Sequence, residues 1–515
     1  MELRKRRLEL LLWSFLLSLS FYPGYFGVLA WFSLIRPLMI ISSLRGKQVF
    51  GAAYFFAFFF NLFSIYWIAM VTPPGMVMAV TIVALYYAAI LAIFNKLCQI
   101  KPLYGVVALP FLWVGMEHFR TLTEFAFPWS DLGYSQAYFG YILQIVSVIS
   151  VHGLSLLILT VNVLLWQVLR KVLSPEQRLT SFFVACTVVG ALVAYGWIVT
   201  PRFQIEGDYK IALLQGSVPL EEKWRPGNRD FSFNRYDSLA QSVTDDDVRL
   251  FVWPETSAPC FLSHQRGCRE EVGAIARRTN SYHLVGALGA AFEEDMTERH
   301  FNSCYQFGPD GELDRRYDKQ KLVPFSEHVP YQDHLPFLTS EFLSKYLTFI
   351  ETYDVQWWSD FYPGRDSSLL FELPDAGYAA LICFESAFPE FSRQAILEGA
   401  EFLVGITNDT WFGQSVGIHM HSNIFITRAV ENRCWGVRAA NTGLTYFVDG
   451  YGRIRGELEL YEVGALSGKI TRLSGLSIFT RYGDVAGRFS FLLTVSIIGI
   501  LTTVWILRKI FRGRL

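Results

Sequence analysis

Charge is what this chain has least of. Of its 515 residues, 18% are charged and 52% are hydrophobic, against about 25% and about 45–50% in an ordinary soluble domain. From Gln48 to Asn95 there is no charged side chain at all. That run exceeds the about 20 residues that cross a bilayer, so a purely soluble protein is excluded. Net charge is also small, with 45 basic against 46 acidic residues, which removes the electrostatic footprint of a nucleic-acid binder. Cysteine is scarce: seven residues, without the paired spacing of structural metal sites. Cys260 and Cys268 lie close enough to close a loop disulfide, provided that face meets an oxidising compartment. A cleavable leader is not evident, because the first apolar run meets Tyr22-Pro23-Gly24-Tyr25 and not a small-residue cleavage site.

What is present divides the chain in three. Runs free of Asp, Glu, Lys and Arg cover Leu10–Ile35, Leu103–Met116, Leu132–Leu169, Leu179–Pro201 and Phe489–Leu507, and Thr72-Pro73-Pro74-Gly75 splits the Gln48–Asn95 region into two spans. Basic clusters at Arg4–Arg7, Arg45/Lys47, Lys96/Lys101, Arg170/Lys171/Arg178 and Arg508–Arg514 all fit a cytoplasmic side if Leu10–Ile35 holds two spans. The expectation is a bundle of seven helices in residues 1–206, an extracytoplasmic domain in residues 207–473, and a returning helix with a basic tail in residues 474–515.

The middle segment has the texture of an α/β domain. Short apolar runs at Lys210–Leu214, Leu250–Trp253, Leu284–Ala290, Tyr378–Cys383 and Phe402–Thr407 read as buried strands. Helical stretches at Glu270–Arg278 and Glu390–Glu398 lie between them, and Pro309-Asp310-Gly311 and Asp449-Gly450 mark hairpins.

Three residues in this domain suit nucleophilic acyl chemistry. Glu255 follows a strand and Pro254, where a partly desolvated carboxylate can act as a base. Cys383 ends a strand ahead of a helix, whose amino end would favour a thiolate. Lys319 follows a hairpin and would offer a cation to an oxyanion. Taken singly, each has a plainer reading: a loop carboxylate, a buried thiol, and a surface lysine paired with Asp318.

Their order changes the weighting. Glu255, Lys319 and Cys383 in Trp253-Pro254-Glu255, Tyr317-Asp318-Lys319 and Leu381-Ile382-Cys383 resemble the Glu-Lys-Cys triad of the nitrilase (carbon–nitrogen hydrolase) superfamily. Phe127-Pro128-Trp129, Asn408-Asp409-Thr410-Trp411-Phe412-Gly413, Asn441-Thr442-Gly443 and Arg481-Tyr482-Gly483-Asp484 narrow the resemblance to its membrane-bound apolipoprotein N-acyltransferase branch. The resemblance implies a multi-pass helical domain carrying an αββα sandwich, with Glu255 as base, Lys319 as oxyanion partner and Cys383 as nucleophile. It also implies supporting or substrate-binding roles for Glu327, Glu385, Trp224 and position 384, where Phe384 replaces the usual Tyr. It further implies a phospholipid acyl donor such as phosphatidylethanolamine, diacylated apolipoproteins as acceptors, the bacterial inner membrane as location with the catalytic domain periplasmic, and no cofactor or metal. The pair His419 and His421, lacking a third ligand, accordingly reads as polar packing.

Two rivals stand beside this reading. One is a membrane-tethered amidase of the same superfamily, the other a transporter with an external sensor domain. The aromatic segment Leu335–Gly364, with Phe337, Phe342, Tyr346, Phe349, Tyr353, Trp357, Trp358, Phe361 and Tyr362, reads either as a lid seated in the lipid interface or as a satellite core.

Overall fold

The computed structural model describes the chain except residues 1, 171–172, 203–206, 226, 244–246, 293–295, 333–360, 366–367 and 513–515. The greater part of the aromatic segment Leu335–Gly364 therefore lies outside the described residues. The chain forms two compact units, one of Met1–Tyr66, Met76–Val199 and Tyr482–Leu515, the other of Trp67–Gly75 and Thr200–Arg481.

The first unit is helical. Among the described residues, six segments are long and apolar enough to cross a membrane: Tyr25–Ser43, Lys47–Ile65, Pro73–Ile100, Val146–Leu169, Pro175–Val199 and Val485–Ile510. Eight spans were expected. The other two positions hold helices, Glu2–Leu19 and Pro102–Phe119, which carry charge at one end: Arg4–Arg7 in the first, Glu117 and His118 in the second. The break at Pro23-Gly24 is real, with Gly24 at φ +94° between the helix Glu2–Leu19 and the 3-10 turn Tyr25–Trp31. Asp484, which precedes the last helix, accepts from His118 Nδ1 at 2.9 Å, His152 Nδ1 at 2.6 Å, Ser150 Oγ at 2.5 Å and the Gly487 amide at 2.9 Å. One carboxylate thus joins three helices.

The second unit is a layered sandwich. Its strands are β1 (Tyr209–Gln215), β2 (Leu250–Val252), β3 (Ala258–Phe261), β4 (Tyr282–Phe292), β5 (Glu298–Phe307), β6 (Leu313–Asp318), β7 (Leu370–Leu373), β8 (Ala376–Ile382), β9 (Phe402–Thr407), β10 (Trp435–Ala440), β11 (Thr445–Val448), β12 (Ile454–Leu458) and β13 (Gly464–Ile470). One sheet runs β13-β1-β2-β4-β5-β6 with β3 beside β4; the other runs β12-β11-β10-β9-β8-β7. Strands β1, β2 and β4 pair in parallel, as do β8, β9 and β10. These central strands are covered on both faces, which explains their unbroken apolar sequences. Helices Arg229–Gln241 and Arg266–Thr279 cover the first sheet through Phe233, Tyr236, Val272 and Ile275, which pack with Phe251 and Trp253. Helix Val416–Asn432 covers the second, and Gly405 and Gly436 let it press close: a Cβ at either would lie 2.7 or 2.9 Å from the Phe425 ring.

The helical connector Trp67–Gly75 belongs to this unit. Trp67 meets Phe412 edge-on at 4.7 Å and covers Gly417, where a Cβ would come within 2.7 Å of the indole. Cys260 and Cys268 are joined by a disulfide.

Candidate active site

Parallel strands end together, so the loops at their carboxyl ends converge. Glu255 follows β2, Cys383 follows β8, and Asn408 follows β9. Lys319 arrives from an antiparallel hairpin, β5 to β6, whose turn holds Gly311 at φ +80°. Four segments far apart in the chain thus meet.

Glu255 is buried, 6% exposed. Its Oε1 accepts from Asn302 Nδ2 at 2.7 Å, its Oε2 from the Asn408 amide at 2.8 Å, and Lys319 Nζ lies 3.6 Å away. Lys319 is 1% exposed, and its ammonium donates to Glu327 Oε1 at 2.8 Å. It is not the surface lysine paired with Asp318, which bonds Arg316 and Ser303 instead. Glu327 is held in turn by Asn302 Nδ2 at 2.9 Å and the Val323 amide at 2.8 Å. Burial opposes the charge on Lys319, but Glu327, Glu255 and Cys383 together raise its pKa above the ordinary value. The ammonium is permanent.

Cys383 opens the 3-10 turn Cys383–Ala387 with φ +51°. A left-handed backbone is strained for a residue with a side chain and aims the thiol away from the strand line. The helix amino end that would favour a thiolate is opposed by the surroundings. Burial, reinforced by the Glu255 carboxylate, raises the thiol well above its usual range, and Lys319 only partly opposes this. These surroundings favour the neutral thiol over the thiolate.

The remaining expected residues fall in different places. Glu385 is fully buried but faces the chain, not an open site. Its Oε1 accepts from Tyr317 Oη at 2.6 Å and the Gln320 amide at 2.7 Å, its Oε2 from the Ile382 amide at 2.9 Å. It ties the Lys319 segment to the Cys383 segment. Phe384 is buried edge-to-face against Phe388 at 5.2 Å. Trp224 is an exposed ring at the end of the short helix Leu220–Lys223, and its neighbour Lys223 reaches inward to Thr256 Oγ1 at 2.9 Å. Burial lowers the Lys223 pKa to about 8, with Glu255 opposing. Beyond Glu327, the aromatic segment re-enters the described residues at Phe361, whose amide donates to the Glu327 carbonyl at 3.0 Å, and at Gly364, whose amide donates to the Lys319 carbonyl at 2.9 Å.

Sequence reading assigned no site role to Asn302, Lys223 or Asn408, the last being named there only within a motif. Asn302 had a signal: once the turn at Pro309–Gly311 is placed, the register pairing Ser303 with Asp318 sets Asn302 beside Lys319. His421 bonds Asp409 at 3.0 Å. Among the described residues, the group able to offer a cation three ligands is His118, His152 and Asp484 in the helical unit.

Comparison with known proteins fits this geometry. Residues 14–164 match the apolipoprotein N-acyltransferase N-terminal domain, and residues 210–473 match the carbon-nitrogen hydrolase family. An apolipoprotein N-acyltransferase of Geobacter metallireducens is 32% identical over 94% of this chain and 92% of its own length. The chain belongs to the apolipoprotein N-acyltransferase family. Other apolipoprotein N-acyltransferases are similar as well: that of Chlorobaculum tepidum is 28% identical over 97% of this chain and 96% of its own, and that of Pseudomonas aeruginosa (strain LESB58) is 30% identical over 77% and 74%. The apolipoprotein N-acyltransferase architecture, apolar helices joined to a carbon-nitrogen hydrolase domain, is the one found here.

Proposed function

We propose that this chain moves a fatty acyl group from a phospholipid to the α-amino group of the diacylglyceryl-cysteine at the amino terminus of apolipoproteins. The observation that carries the proposal is the convergence of buried Glu255 and Lys319 with half-buried Glu327 and Cys383, in a chain whose described residues also hold six candidate spans.

The geometry suits two half-reactions. In the first, Cys383 Sγ attacks the sn-1 ester carbonyl of a donor such as phosphatidylethanolamine while Glu255 takes the thiol proton. Burial and the neighbouring carboxylate disfavour the thiolate, so attack and proton transfer are linked. Lys319 faces the developing oxyanion with its charge already fixed by Glu327, so little reorganisation accompanies the step. Collapse breaks the ester C–O bond, and Glu255 returns the proton to the departing lysophospholipid oxygen. A thioester remains on Cys383. In the second half-reaction the acceptor amine attacks that thioester, Glu255 takes the amine proton, and the proton returns to sulfur as the thiolate leaves.

The basic clusters, all consistent with one side, support a catalytic domain on the periplasmic face of the bacterial inner membrane. The Cys260–Cys268 disulfide supports the same side, since such bonds persist in oxidising compartments.

Intact-mass measurement of the purified protein after incubation with phosphatidylethanolamine tests the proposal. An added long-chain acyl mass on Cys383, discharged by a diacylated lipopeptide, is the expected result. Hydrolysis of small amides with no acyl mass would replace it with the amidase reading.

A further inference from the structure

The helical unit holds a charged cleft that the two half-reactions do not use. Its volume is 630 Å³. Its walls are the start of helix Pro102–Phe119, with Lys101, Leu103 and Val106, the end of helix Val146–Leu169, with Arg170, and the first two turns of helix Pro175–Val199, with Glu176.

Cations at the ends of membrane helices are common, because they set topology. Most of them find partners here: Arg36 pairs with Glu9 at 2.6 Å, and Arg178 donates to the Val168 carbonyl at 2.6 Å. Lys101 and Arg170 differ. Among the described residues neither forms an ion pair with a carboxylate, and each lies over an aromatic ring. Lys101 Nζ is 5.8 Å from the Tyr104 centroid, and the Arg170 guanidinium is 4.7 Å from that of buried Trp166. A ring holds a cation in place while leaving N–H donors for an oxyanion.

The helix start and the hydroxyls that share the cleft are committed to their own helix. Ser174 Oγ accepts from the Gln177 amide at 3.2 Å, and Gln177 Oε1 from the Ser174 amide at 3.1 Å. The Thr180 and Ser181 hydroxyls donate to carbonyls four residues back, at 2.9 Å each. Recognition therefore falls to charge, and two cations face one carboxylate, Glu176. The surplus is positive. Leu103 and Val106 continue the wall as apolar surface, and little of helix Pro175–Val199, a candidate span, is buried by the protein itself. A cationic end joined to an apolar wall, between helices of a membrane unit, is complementary to an anionic lipid headgroup and its chains.

We propose that this cleft holds one anionic phospholipid, its phosphate between Lys101 and Arg170 and its acyl chains along Leu103 and Val106. Bound there, the lipid bridges three helices and fastens Pro175–Val199 to the bundle. The proposal needs the chain to lie in a membrane and is independent of acyl transfer.

Native mass spectrometry of the full chain in mild detergent, titrated with phosphatidylglycerol or phosphatidylethanolamine, tests it. Wild type should retain a single phosphatidylglycerol about 5-fold more tightly than the zwitterionic lipid, the gain from one unit of interfacial charge. Lys101→Gln combined with Arg170→Gln should weaken phosphatidylglycerol by about 20-fold and change phosphatidylethanolamine by less than about 2-fold. Lys47→Gln, which removes a cation from another basic cluster, should do neither. Glu176→Gln removes the opposing carboxylate and should tighten phosphatidylglycerol by about 3-fold. Phosphatidylglycerol should also raise the melting temperature of the wild type and not that of the double variant. Equal retention of the two lipids by wild type, or unchanged phosphatidylglycerol retention in the double variant, would leave only unselective surface lipid and overturn the proposal. Inorganic phosphate stabilising as well as phosphatidylglycerol would make this a free-anion site and overturn it equally. Wild-type selectivity and Glu176→Gln carry the test if the double variant fails to insert.

Discussion

Glu385→Gln should destabilise the α/β unit by about 2–4 kcal/mol. The carboxylate accepts from Tyr317 Oη and the Gln320 amide on one oxygen and from the Ile382 amide on the other. Its glutamine replacement must choose. With its oxygen kept toward Tyr317 and Gln320, its NH2 group confronts the Ile382 N–H, donor against donor. An unsatisfied buried amide costs about 1–3 kcal/mol, and losing the charge from the two surviving bonds removes about 1 kcal/mol each. Against this, the carboxylate is itself disfavoured by burial, which raises its pKa despite its donors, so the neutral amide regains about 1 kcal/mol. For a domain of this size the net loss corresponds to a melting point lower by about 5–10 °C. Thermal unfolding of the full chain in detergent, followed by circular dichroism, measures it. Tyr317→Phe should cost about 1 kcal/mol in the wild-type background and less in the Glu385→Gln background, since the two share one bond. A Glu385→Gln melting point within about 1 °C of wild type would refute the reasoning, and so would strict additivity with Tyr317→Phe.

Cys383→Ala should insert normally yet form no acyl-enzyme; N-acylation of a diacylated lipopeptide at near the wild-type rate would remove Cys383 from the mechanism. Lys319→Met should lower the acylation rate by about 10²–10³, measured as thioester formation in a single turnover, and a rate close to wild type would make the lysine a bystander. The raised thiol pKa predicts that alkylation of Cys383 by iodoacetamide keeps climbing through pH 9, because the reactive thiolate is still the minor form there. Glu255→Gln removes a negative neighbour and should shift that profile to lower pH even as acyl transfer falls; a plateau below pH 8 in the wild type would contradict this. Single cysteines placed at Ser326 or Ser368 should react with a membrane-impermeant thiol reagent once the outer membrane is opened, and protection of both until the inner membrane is lysed would reverse the topology.

The sequence exposed the parts whose information is local. Apolar runs marked the central strands because both sheet faces are covered, and Pro309-Asp310-Gly311 marked a hairpin because few residues turn the chain so tightly. Glu255, Lys319 and Cys383 were singled out together only through resemblance, since these segments owe their meeting to sheet order. A helix amino end near Cys383 is visible in sequence, whereas the carboxylate and burial that act against a thiolate come from elsewhere in the chain. The roles of Asn302 and Asn408 were hidden for the same reason: each bond spans strands whose pairing no local pattern specifies. In the helical unit, helices occupy all eight expected positions, and the two that fall outside the six most apolar ones keep charge at one end, as at Glu117 and His118.

The connector Trp67–Gly75 has a practical bearing on mapping experiments. Short turns between membrane helices are the customary place to insert an epitope or a protease site, because exposed tips tolerate added chain. Thr72-Pro73-Pro74-Gly75 looks like such a turn, yet the residues just before it are part of the α/β unit, with Trp67 over Gly417 and Met70 Sδ against Gly413. An insertion there would lever the indole from Phe412, which itself packs edge-on to His421 at 5.9 Å. A tag placed to report which side of the membrane the turn faces would then report through a disturbed enzyme, and loss of activity in such a fusion would say nothing about sidedness.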